Sequence, residues 1–231
     1  ESAMRRLLQP VFVLFLSLFA ALAQAGALDA ISTGDASAGV KEALNKGADY
    51  AVASLGKNGG FLGNDKVKIP LPGYLQKAES ALRMFGMGKQ ADQLVETMNH
   101  AAENAVAVAK PVLVESIRKM SVQDAKGILT GGEDSVTQYF KRTSTEQLTA
   151  KFMPIVKKET GKLQLADQYN KFAGKAASAG LIEQKDADID SYVTQKAMDG
   201  LFLMIAEEEK KLRANPVGAG SDLLKKVFGA L

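Results

Sequence analysis

The sequence predicts an all-α fold, a single compact multi-helix bundle of about eight helices with one short extended, proline-containing segment. Three observations predict it. Alanine and leucine dominate and runs of β-branched residues are rare, which favours helix over strand. Helix-start residues, Ser, Asp or Pro, stand repeatedly ahead of apolar-periodic stretches. Apolar residues then return at three- and four-residue spacing, as one buried face of a helix requires.

The N-terminal segment reads as an export signal. Met4-Arg5-Arg6 is a basic start, Val11 to Ala23 is apolar apart from Ser17, and Ala23-Gln24-Ala25 is a small-x-small cleavage site. The apolar run is shorter than the roughly 20 residues that span a bilayer, and Pro10 stands at its entrance, so a cleaved signal is expected rather than a stable membrane span. Nothing else of a twin-arginine signal surrounds Arg5-Arg6, so the general secretory route is expected. Residues 1–25, with Glu1-Ser2-Ala3 upstream of an initiator Met4, are set apart as signal and extension. Residues 26–231 are expected to form one helical domain in the bacterial periplasm. With Glu1, Arg5 and Arg6 set aside, that domain has 27 basic and 25 acidic side chains, which points to no nucleic-acid partner. The chain has no cysteine, which excludes a disulfide framework, a thiol nucleophile and a lipid-modified N-terminal cysteine.

Along this domain, Asp35 is expected to cap a helix reaching about Leu55, with Val40, Leu44, Ala48, Ala51, Val52 and Leu55 on one stripe. A glycine-rich connector, Lys57 to Gly63, follows. Lys66 to Pro72 alternates polar and apolar residues before two prolines, which limit it to an edge strand or a non-strand. Helices are expected at about Gly73 to Phe85, Lys89 to Ala109 and Pro111 to Lys119, then a short one opened by the box Ser121-x-x-Asp124 and closed at Thr130-Gly131-Gly132. Asp134 to Arg142 and Thr145 to Thr160 are expected as separate helices, the second kinked or divided at Pro154. Ala166 to Ala179 follows. Asp188 to Arg213 contains Leu201 to Ala206, apolar all round, and is expected to be the central buried element. A final helix, Ser221 to Phe228, has Leu223, Leu224, Val227, Phe228 and Leu231 on one stripe, suited to its own core before a membrane or a partner.

Chemical constellations are sparse. His100 is the only histidine, flanked at helical spacing by Glu96 and Glu103, and a bundle metal centre would need a second such helix. Asp186-x-Asp188-x-Asp190 opens like a calcium loop, but Ser191 stands in the place of its glycine and Ala197 in the place of its final glutamate. Neither Gly59 to Gly63 nor Thr130 to Glu133 has the lysine and hydroxyl spacing of a phosphate cradle. Gly-x-Ser-x-Gly is absent, and Lys157-Lys158, Lys210-Lys211 and Lys225-Lys226 read as solvated faces. No cofactor, metal ligand or catalytic residue is assigned.

Three segments occur in order: Ile69-Pro70-Leu71-Pro72-Gly73-Tyr74-Leu75, Lys126-Gly127-Ile128-Leu129-Thr130-Gly131-Gly132, and Tyr192-Val193-Thr194-Gln195-Lys196-Ala197-Met198-Asp199-Gly200-Leu201-Phe202. With them the chain resembles the exported bacterial proteins grouped as domain of unknown function 4197, over almost all of residues 26–231. The resemblance implies a helical envelope protein and brings no activity, cofactor or catalytic residue.

The function expected is a non-catalytic periplasmic binding or interaction protein of the cell envelope. Its expected surface is Phe61, Leu62, Ile69, Leu71 and Tyr74, apolar anchors on a backbone fixed by proline. The partner would be an envelope protein or an apolar ligand. The alternative is a carrier of a lipid or other apolar molecule in a pocket lined by Met84, Phe85, Met198, Phe202 and Met204. A third reading is an enzyme using carboxylates such as Glu103, Glu133 or Asp134.

Overall fold

The computed structural model describes residues 32–219 and 221–229, and the export signal read at residues 1–25 lies outside them. The described residues form nine α-helices and no strand: α1 Thr33–Leu55, α2 Gly73–Met84, α3 Gly88–Val106, α4 Lys110–Lys119, α5 Val122–Thr130, α6 Ser135–Thr160, α7 Gln164–Ser178, α8 Ile189–Ala214 and α9 Asp222–Phe228. Helices α1, α3, α6 and α8 pack around one continuous apolar cluster. Nowhere among the described residues is a helix long and apolar enough to cross a membrane.

Helix α1 begins two residues before the expected cap. Ser32 is the cap, its hydroxyl accepting from the Asp35 N–H at 3.0 Å, while Asp35 sits in the first turn, where the helix dipole favours an acid. The stripe from Val40 to Leu55 is buried, with Val52 half-buried. Ser121 and Asp124 form the expected capping box at α5.

The expected break between residues 142 and 145 does not occur, and α6 also continues through Pro154. Thr143 donates to the Tyr139 carbonyl one turn earlier (2.9 Å), and Ser144 shares a hydrogen bond with Ser116 of α4 (2.8 Å). Both hydroxyls are thereby satisfied without ending the helix. Pro154 faces solvent, while Phe152 and Val156 on either side of it are fully buried, so packing offsets the lost backbone hydrogen bond.

Helix α8 is the central element. Leu201, Phe202, Met204 and Ile205 are buried and Leu203 turns outward, so the apolar run is a wide stripe rather than a fully enclosed cylinder. Phe202 stacks on Phe140 of α6 with centroids 5.9 Å apart. Helix α9, capped by Ser221, folds back onto α1. Its Leu224, Val227 and Phe228 are buried, Lys226 pairs with Asp35 at 2.6 Å, and a side chain at Gly39 would meet Val227 at 2.6 Å. The terminal amphipathic stripe is therefore spent on the protein's own core.

Candidate functional site

Between α1 and α2 the chain runs through residues 56–72 in turns and irregular backbone. Such backbone needs hydrogen-bond partners once buried, and α3 supplies them. Glu103 Oε1 accepts from the N–H groups of Phe61 (2.9 Å) and Leu62 (3.1 Å). One turn earlier, Asn99 accepts from the Ile69 N–H at 2.8 Å and donates back to the Ile69 carbonyl at 2.9 Å, reproducing with an amide what a neighbouring strand would offer. From α8, the Tyr192 hydroxyl donates to the Pro70 carbonyl at 3.0 Å. Gly59, at φ +78°, provides the left-handed turn that points the loop's N–H groups inward.

The second oxygen of Glu103 lies 2.7 Å from His100 Nδ1, and His100 Nε2 lies 3.8 Å from Glu96. Burial pushes the Glu103 carboxyl up. The donors from Leu62, His100, Phe61 and Gly59 outweigh that and hold it below the usual glutamate range. Glu103 thus clamps the connector through one oxygen while His100 engages the other.

The structure moves most of the expected surface indoors. Phe61 and Ile69 are fully buried, Leu71 is 4% exposed and Leu62 is half-buried, so these residues do not form an exposed set of anchors. The alternation read in the sequence is real, since Val67, Ile69 and Leu71 face the core while Lys66, Lys68 and Pro70 face solvent, but it occurs without a strand. Phe61 enters the core against Gly200 of α8, where an added Cβ would stand 2.9 Å from the ring. Only Tyr74 remains half-exposed.

The residues named for an apolar pocket do not converge either. Met198, Phe202 and Met204 are core, whereas Met84 and Phe85 are 84% and 81% exposed. A cleft of about 530 Å³ beside the connector is lined by Tyr50, Lys57, Asn64, Asp65 and Lys66 among others, and one of about 450 Å³ by Lys141, Asp186, Gln195, Lys196 and Asp199. Both are polar.

The three aspartates of the calcium-like segment serve separate tasks. Asp188 caps α8, Asp190 accepts from Thr160, and Asp186 lies in a short 3-10 turn whose carbonyl takes the Tyr169 hydroxyl. No group of three metal-ligating side chains occurs among the described residues. Glu133 is exposed and paired with Lys210 at 2.6 Å, on a different element from buried Glu103.

The structure groups Tyr74, Met84 and Phe85, assigned to different roles in the sequence, with Phe172 in one apolar surface that the sequence does not disclose as a unit. Helix α2 buries only Leu75. Its outward side shows Tyr74, Met84 and Phe85, and Tyr74 packs on Phe172 of α7 with centroids 5.1 Å apart, Phe172 itself being half-exposed. At the far end of α7, Leu181 is also exposed. The available signal was a second apolar stripe on α2, at i, i+7 and i+11, beside the one that packs.

No curated protein and no solved structure matches the chain. A family model does, that of the proteins of unknown function DUF4197, over residues 30–229. That span contains the whole helical bundle from α1 to α9, and the chain belongs to this family.

Proposed function

We propose that this protein is a binding component of the bacterial envelope, exported to the periplasm, and that it engages its partner through the flank formed by α2 and α7 rather than by catalysis. The observation that carries the reading is the exposure of Met84 and Phe85 next to the half-exposed Tyr74–Phe172 pair. Large apolar side chains so grouped on a folded protein mark interaction sites. Of the groups best suited to chemistry, Glu103 is engaged in holding the connector and His100 in holding Glu103, which agrees with this reading.

A photoreactive residue placed at Phe85 and, as control, at exposed Lys151 of α6 tests the reading in producing cells. Adducts are expected from position 85 and not from 151, and an unreacted position 85 would remove the proposal. The same cells report on export, since the recovered chain is expected to begin at Gly26.

A further inference from the structure

We infer that the partner of the α2–α7 flank is an anionic lipid surface, an inference that rests on this flank being the binding face. Tyr74, Ala81 and Phe85 recur at i, i+7 and i+11 and share one side of α2, with Met84 and Lys77 at its edges. All five are exposed, while Leu75 and Leu82 turn toward the core. Phe172 extends this side onto α7 through its contact with Tyr74.

Charge selects the occupant. The only carboxylates on these two helices are Glu79 and Asp167, held by Arg83 at 2.8 Å and by Lys171 at 2.7 Å, and Arg83 is shared with Asp92 of α3 at 2.7 Å, which leaves that cluster one negative charge against the three lysines that follow. Lys77, one turn from both Tyr74 and Ala81, and Lys175, one turn beyond Phe172, have no acidic partner among the described residues. Nor has Lys89, at the start of α3 just after the turn at Gly86 that follows Phe85. Exposed aromatic and thioether side chains beside unpaired lysines are the pattern by which a helix lies in a headgroup layer, its apolar side entering the acyl boundary and its lysines meeting anionic lipid. Tyrosine suits that depth because its ring is apolar and its hydroxyl stays wet.

The test uses the chain from Gly26 onward, which contains every described residue, in co-sedimentation with vesicles of phosphatidylglycerol in phosphatidylcholine and with vesicles of phosphatidylcholine alone. Binding is expected to the first and not the second, and to weaken as salt is raised. Met84→Ser with Phe85→Ser, and separately Lys77→Glu with Lys175→Glu, should each weaken it by about tenfold or more. These positions are exposed, and unchanged thermal unfolding would show that the variants fold. Absence of vesicle binding, equal binding to both vesicles, or variants that bind like the parent would overturn the inference. So would a concentration-dependent dimer lost on Phe85→Ser, which would give the face to a second copy. If vesicles fail while the photoreactive residue at position 85 captures a protein, the lipid is wrong and the binding face stands. If position 85 captures nothing, both fall.

Discussion

The connector of residues 56–72 and helix α2 adjoin in the chain and invert each other's appearance. The connector has the glycines, prolines and lysines of a surface loop, yet Phe61, Val67, Ile69 and Leu71 are core. Helix α2 is regular and amphipathic, yet buries one residue and leaves Met84 and Phe85 in solvent. Regularity therefore does not measure integration in this protein. What integrates a segment is whether its backbone polar groups find partners, and Asn99, Glu103 and Tyr192 give the connector partners that a helix would have supplied internally.

The largest expected effect follows from treating the connector as core. Phe61→Ala should cost about 4 kcal/mol in urea unfolding, as a fully buried aromatic does when a cavity replaces it. A loss under about 1 kcal/mol would show the connector to be a cover rather than a core element.

Next comes the clamp. Glu103→Ala leaves the Phe61 and Leu62 N–H groups without their acceptor and should cost about 3 kcal/mol at neutral pH. Glu103→Gln sharpens this through pH. Because the native carboxyl lies below its ordinary value, its charge stabilises the fold above the usual glutamate range of about 4.3, and that contribution disappears as pH falls through the depressed native value. The stability gap between parent and Glu103→Gln should accordingly close as unfolding is measured further below pH ~4. A gap that stays constant would mean the hydrogen-bond geometry matters and the charge does not.

How far the sequence disclosed this can be traced residue by residue. Helix α8, the capping box at Ser121 and the fold-back of α9 were legible because each is a local pattern: a wide apolar run, a capping spacing, a short stripe after a turn. The continuity of α6 was not, since it depends on Ser144 meeting Ser116 of α4 and on Phe152 and Val156 being buried across the chain. The connector's apolar residues were noticed and placed on the wrong side of the surface. Their burial depends on Asn99 and Glu103, some thirty to forty residues away: Glu103 reads in the sequence as a possible metal or acid–base carboxylate, and nothing local marks Asn99 as backbone support. For α2 the sequence yields the helix but not its orientation, because Leu75 and the Tyr74–Ala81–Phe85 side are both apolar and only the neighbouring helices decide which of them packs.

A smaller effect is expected at the contact between the connector and α8. Gly200→Ala places a methyl group 2.9 Å from the Phe61 ring and 3.3 Å from Val67, and should cost about 2 kcal/mol through overpacking. Combined with Phe61→Leu, which withdraws the ring atoms, the two changes should cost less than their sum, because residues in contact couple. Strict additivity would place the strain elsewhere.

The smallest effect closes the comparison with a second phenylalanine. Phe85→Ser should change stability by no more than about 0.5 kcal/mol, against about 4 for Phe61→Ala, because the side chain is 81% exposed and the helix end is set by Gly86 at φ +77° and by the Met87 N–H bonding the Leu82 carbonyl at 2.8 Å, none of which involves the ring. The variant separates two physical situations that share one appearance. If unfolding is unchanged, the ring is uncovered in the isolated protein, and whatever use it has lies in contact with something else. If unfolding is weakened by 2 kcal/mol or more, the ring is already covered in solution, and the weakening should grow with protein concentration if the cover is another copy and stay constant if it is the chain's own N-terminal segment.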